Sequence, residues 1–157
     1  MAALTCVACT RPIPGWEQGG ATADVHSEAL AVRQAADKAQ ATLGEFLVKA
    51  KEPPAGTTGY GLKVAVREGD VTEYFWVHEF TWSDGTFTGR INDEPRVVKR
   101  IKTGQMHRFD RSDIVDWTYV DERSGKTFGN FTACALSGSA PPAGAGEIKR
   151  RHDLDCS

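Results

Sequence analysis

The spacing of apolar residues along the chain changes near residue 53. From residue 25 to residue 51, Ala29, Leu30, Val32, Ala36, Ala39, Leu43, Phe46, Leu47 and Ala50 recur every three or four positions on an alanine-rich background. That is the period of one apolar helix face. Asp24 or Ser27 is placed to cap the start, Gly44 weakens the interior by about 1 kcal/mol, and Pro53-Pro54 ends the helix. Beyond the prolines the period becomes two. Leu62, Val64 and Val66 alternate with Lys63, Ala65 and Arg67, which predicts a half-buried strand, and Glu68-Gly69-Asp70 turns it. Strict alternation through Val71 to Trp82 places Tyr74, Trp76, His78, Phe80 and Trp82 on one face and Phe75 and Val77 on the other. Ser83-Asp84-Gly85-Thr86 is a hairpin signal, and Phe87 to Ile91 is the return strand, where Gly89 permits close backbone approach. Asn92-Asp93-Glu94-Pro95 closes that unit. Val97, Val98 and Ile101 form a short apolar turn before Thr103-Gly104. Further strands are predicted over Met106 to Phe109, Ile114 to Val120 and Thr127 to Leu136.

These elements predict an α+β fold in one domain, residues 25–136. One N-terminal helix packs on a twisted antiparallel sheet of about six short strands, which can curl towards a small open barrel. Residues 10–24, rich in Pro, Gly and Thr, are a tether. Residues 137–157, first Ala-, Gly-, Pro- and Ser-rich and then charged, are expected to form a disordered tail.

A length of 157 residues with 40% hydrophobic and 25% charged residues fits one domain with its own core. A net charge of -2 supplies no attraction to nucleic acid or to an anionic membrane. Cys6 and Cys9 form a C-x-x-C, but no second such pair completes a zinc site, so no metal or cofactor is expected. Arg11-Pro12-Ile13-Pro14 forbids the helix that a redox C-x-x-C would open. Met1 to Ala8 is apolar and uncharged, and Val7-Ala8 precedes Cys9, as at a lipoprotein cleavage site. Residues 1–9 are therefore read as a signal remnant with Cys9 lipidated, the membrane contact being through that lipid alone. Whether Cys134 pairs with Cys156 is left open; a bond would pin the tail.

His78 and Glu79 are neighbours in a strand and point to opposite faces, so they cannot share a substrate. His107, near Asp110 and Asp113, could serve as a base, yet no nucleophile accompanies it. Asp116 lies in an apolar strand and must be hydrogen-bonded if buried. Alternation groups its neighbour Trp117 with Val115 and Tyr119 as core. Tyr74, Trp76 and Trp82 are expected to pack on the helix, with any uncovered end a sticky patch for a protein.

The series Gly61-Leu-Lys-Val, Glu73-Tyr-Phe-Trp-Val, Gly89-Arg-Ile-Asn-Asp-Glu-Pro95, Lys102-Thr-Gly104, Ile114-Val-Asp-Trp-Thr-Tyr119 and Gly129-Asn-Phe-Thr132 resembles the bacterial family called domain of unknown function 2314. The likeness covers roughly Ala29 to Leu136, and Asp116-Trp117 followed by Gly129-x-Phe-Thr is its most specific part. The family pattern has His where this chain has Tyr74. The Ile-x-Asp-Trp segment is also similar to bacterial toxin-immunity proteins. The resemblance implies no activity. The chain is read as a non-enzymatic domain of the bacterial envelope that binds another protein. Tyr74, Trp76, His78, Trp82 and Asp116 are its candidate binding residues, and Gly89, Pro95, Trp117 and Gly129 are structural. One alternative is an immunity protein; the other is an enzyme acting through Asp116, His107 or His78, in the cytoplasm if the lipid signal is not used.

Overall fold

The computed structural model describes residues 19–139 and 154–156, with side chains for residues 29–138 and 154–156. Residues 1–18, including Cys9, and most of the C-terminal tail lie outside the described residues. Helix α1 runs Gly19–Lys51. Residues 19–24, assigned to the tether, are thus helical, and Asp24 and Ser27 lie inside the helix rather than at its cap. Six strands follow: β1 (Thr57–Glu68), β2 (Val71–Ser83), β3 (Thr86–Ile91), β4 (Met106–Asp110), β5 (Ile114–Asp121) and β6 (Lys126–Gly129). Their spatial order is β4-β3-β2-β1-β5-β6, every neighbour antiparallel. The sheet is open: β4 and β6 are its edges and do not meet, so no barrel closes.

The expected last strand stops at Gly129. Gly129 and Asn130 both take positive φ, 79° and 50°, which no strand continues. A second helix, α2 (Phe131–Ser139), starts there. A Cβ on Gly129 would stand 2.1 Å from the Trp117 carbonyl oxygen, so only glycine fits. The tail is not free where it is described. Leu154 bridges Thr127 in parallel, Asp155 N–H donates to Thr127 O at 2.9 Å, and Cys134 is disulfide-bonded to Cys156.

The core lies between one face of the sheet and the second half of α1. Leu43, Phe46 and Leu47 pack with Leu62, Val64, Phe75, Val77, Phe87, Ile91 and Trp117. The Phe46 and Trp117 rings stack at 4.9 Å, and Trp117 Nε1 donates to Ala39 O and Thr42 Oγ1, both at 3.2 Å. Two bulges decide which side chains reach this face. In β2 the register slips between His78 and Thr81, with Glu79 at φ 49°. One extra residue reverses the alternation. Phe75 and Val77 are in the core before it, and Phe80 and Trp82 turn to the core after it. Gly89 makes room opposite: a Cβ there would lie 2.4 Å from Val77 Cγ1. In β5 the pairing passes from Val64–Ile114 to Lys63–Asp116, leaving Val115 unpaired. Ile114 and Trp117 thereby share the core face, and Val115 does not join them.

The β3–β4 connection has no regular structure yet buries Val98 and Ile101. It is held by carboxylates of the sheet. Glu73 accepts from the amides of Arg96, Val97 and Val98 at 2.8–3.0 Å, and Glu68 accepts from Lys99 N at 2.6 Å. Asp93, inside the connection, accepts from Trp76 N at 2.6 Å, and Pro95 stands between these anchors.

Candidate functional site: a cleft floored by Lys63

Strand β6 pairs with only Thr118 to Asp121, so the first half of β5, paired with β1 on one side, has no strand on its outer side. Helix α1 crosses that gap, where Gln40 Nε2 donates to the carbonyls of Ile114 and Arg111. The second half of α1 therefore covers the core face. Its first half packs on α2 and overhangs the opposite face.

On that opposite face the register places Asp116, Lys63 and Trp76 in one transverse row. Asp116 is wholly buried. Its Oδ1 accepts from Trp117 N at 2.9 Å and Phe131 N at 3.2 Å. Its Oδ2 accepts from Thr132 N at 2.8 Å and Thr132 Oγ1 at 2.7 Å. A carboxylate on β5 thus caps α2, satisfying amides that a helix start leaves unpaired. Burial pushes its pKa up, and the bonds from Thr132 and Trp117 and the charge of Lys63 oppose that push. Lys63 Nζ donates to Thr132 Oγ1 at 3.1 Å and lies 5.8 Å from the Trp76 ring centre. Half-buried Lys63 has its pKa lowered by desolvation, countered by Asp116 and Asp93. Among the described residues no carboxylate pairs directly with it.

Lys63 and Thr132 open into a cleft of about 720 Å³. Its walls are Ala29, Val32, Arg33 and Ala36 of α1, Leu136 of α2, and Tyr74 and Val115 of the sheet. The volume is that of ordinary ligand sites. Tyr74 is 53% exposed, so the cleft opens to the surface beside it.

The candidate binding residues divide. Tyr74 lines the cleft and Trp76 flanks its lysine. His78 lies further along the same face, its ring over Gly61 and its Nδ1 3.1 Å from Tyr60 O. Trp82 is removed from this group by the β2 bulge, lies tilted against Phe80 and stacks with Phe87 on the core side; the single aromatic row against the helix does not form. His107 stacks on Phe109, with its pKa lowered by desolvation and by Arg100. It lies four strands from Asp116, roughly 19 Å at the usual strand spacing, so Asp116, His107 and His78 do not converge. Sequence reasoning missed Lys63 and Thr132 as site residues. Their one signal was membership of the segments that carried the family resemblance. Asp116-Trp117, Gly129-x-Phe-Thr132, Lys63 and Trp76 all meet here.

The Thr132 hydroxyl donates to Asp116 and accepts from Lys63, so it is engaged on both sides. The amides that open α2 are engaged by Asp116 and offer no oxyanion hole. What remains available is the Lys63 ammonium, with Arg33 at the wall, in a mostly apolar lining.

No solved structure matches the chain. It is 30% identical over 92 residues to "Uncharacterized protein YegJ" of Escherichia coli (strain K12), a span of 59% of this chain and 59% of that protein. The chain therefore aligns with about three fifths of the length of this curated relative. Neither that name nor the family description mentions toxin immunity. A family model matches residues 29–153, and the chain belongs to the bacterial family described as "Uncharacterized protein conserved in bacteria (DUF2314)".

Proposed function

We propose that the chain is a non-enzymatic binding domain of the bacterial envelope, and that its cleft between α1, α2 and the sheet receives an apolar segment of another protein. The observation that carries this reading is the lining. Ala29, Val32, Ala36, Val115 and Leu136 present an apolar concavity at the surface, open beside exposed Tyr74. Such concavities are characteristic of docking sites. The envelope is supported by the Cys134–Cys156 bond, since disulfides persist in oxidising compartments. The apolar stretch before Cys9 points the same way.

The test is photo-crosslinking in the native host followed by fractionation. A crosslinking amino acid at position 74 is expected to give a discrete protein adduct in the envelope fraction. The same group at Val48, 71% exposed on the second half of α1, is expected to give none. Filling the cleft by Ala36→Trp should remove the adduct. No adduct from position 74, or one indifferent to Ala36→Trp, refutes the cleft as the receiving site. An adduct confined to the cytosol refutes the envelope.

A further inference from the structure

The floor of the cleft carries more information than its walls. Lys63 stands on β1 with its side chain on the face opposite the buried Leu62 and Val64, between Asp116 and Trp76 across the strands. Its ammonium has three donors. One goes to Thr132 Oγ1, and the Trp76 ring lies on another side. The two acidic residues that act on it are otherwise engaged: Asp116 by four donors and Asp93 by Trp76 N. Thr132 Oγ1, fixed by Asp116, holds the ammonium in place. Among the described residues the cleft thus contains a positioned cation without a direct anionic partner, and Arg33 adds a second positive charge at the wall.

We infer that the segment received is the C-terminal end of the partner, an apolar last residue whose free carboxylate meets Lys63. This rests on the cleft being the receiving site. A carboxylate supplies an acceptor for the ammonium, and at half-buried Lys63 a charge-assisted bond is screened less than on the open surface. The apolar side chain preceding it matches Val32, Val115 and Leu136. The opening beside Tyr74 gives the rest of the polypeptide an exit, which an enclosed small molecule would not need.

The experiment uses the full chain and dye-labelled pentapeptides whose last two positions vary over apolar residues, each made as the free acid and as the C-terminal amide. Binding is read by fluorescence polarisation. The best acid is expected to bind roughly tenfold or more tightly than its amide, the gain from one charge-assisted bond. Lys63→Met should weaken the acid far more than the amide and so collapse that difference; Lys63→Arg should restore much of it. Thermal unfolding of each variant establishes that it is folded. Ala36→Trp should abolish binding of both forms. If it does so while acid and amide bind alike, the carboxylate inference is overturned and the cleft reading survives. If Ala36→Trp changes nothing, or no peptide binds at millimolar concentration, both fail. Octanoate binding more tightly than any peptide would overturn the inference in favour of a small amphipathic acid.

Discussion

Asp116 and Glu73 do the same job in opposite surroundings. Each is a carboxylate on a strand that gathers backbone amides from a segment distant in sequence: Asp116 those that open α2, Glu73 those of Arg96, Val97 and Val98. Glu73 lies near solvent. The Val98 amide, with those of Val97 and Arg96, holds its pKa below the ordinary value. Asp116 is sealed in, and desolvation outweighs the hydrogen bonds from Thr132 and Trp117 and a nearby lysine to push its pKa up. Hydrogen-bond number does not decide the sign of the shift; access to water does. At the surface the amides stabilise a charge that water also stabilises. In the interior they only reduce the cost of having it there.

The comparison breaks most clearly at Asp116. Asp116→Ala leaves four donors without an acceptor and should cost roughly 4 kcal/mol in urea unfolding, with loss of α2 signal by hydrogen exchange. Asp116→Asn keeps one acceptor oxygen but turns an NH₂ group towards two donors, and should cost roughly 2 kcal/mol. Stability equal to wild type would remove Asp116 as an anchor.

The smallest effect is the most diagnostic, because the two sites should respond to pH with opposite slopes. Glu73 has a depressed folded-state pKa, so its contribution is present above the ordinary value of 4.5 and is lost as pH falls through the folded one. The penalty of Glu73→Gln should shrink on acidification. Asp116 has a raised folded-state pKa, so its favourable contribution is complete below the ordinary 3.8 and is lost as pH rises through the folded value. The penalty of Asp116→Asn should grow on acidification. Slopes of the same sign in urea titrations across pH 3–7 (roughly the carboxylate range) would end the contrast.

How much of this was legible in the chain varies by element. The presence of six strands was legible from alternation and turn residues, because those signals are local, though the last was expected to run on to Leu136 and ends at Gly129. The start of α1 at Gly19 was hidden, since Gly and Thr are poor helix formers and read as tether. Helix α2 was hidden for a different reason. Phe131-Thr132 looks like strand, and the group that starts the helix, Asp116, is fifteen residues away. The β2 bulge left no mark, because glutamate is not a residue that announces positive φ. One unpaired residue then separated Trp82 from the aromatic row. Lys63 read as a solvated strand position. It became the floor of a cleft only because α1 crosses the bare half of β5, a placement that no window of sequence contains.

The Cys134–Cys156 bond closes a covalent ring across a sequence separation of 22. By loop-closure entropy such a ring is worth about 3 kcal/mol, but its mechanical meaning is separate. Traction applied beyond Cys156 does not peel Leu154 from β6 one hydrogen bond at a time. It is delivered through sulfur to α2, and from α2 to Asp116 in the interior. An unfoldase that threads chains from this end would have to break the α2 cap first and feed a cross-linked loop through its pore. In a reducing compartment that obstacle disappears, and contacts such as the parallel bridge at Thr127 and the Lys126–Asp155 ion pair resist the pull instead.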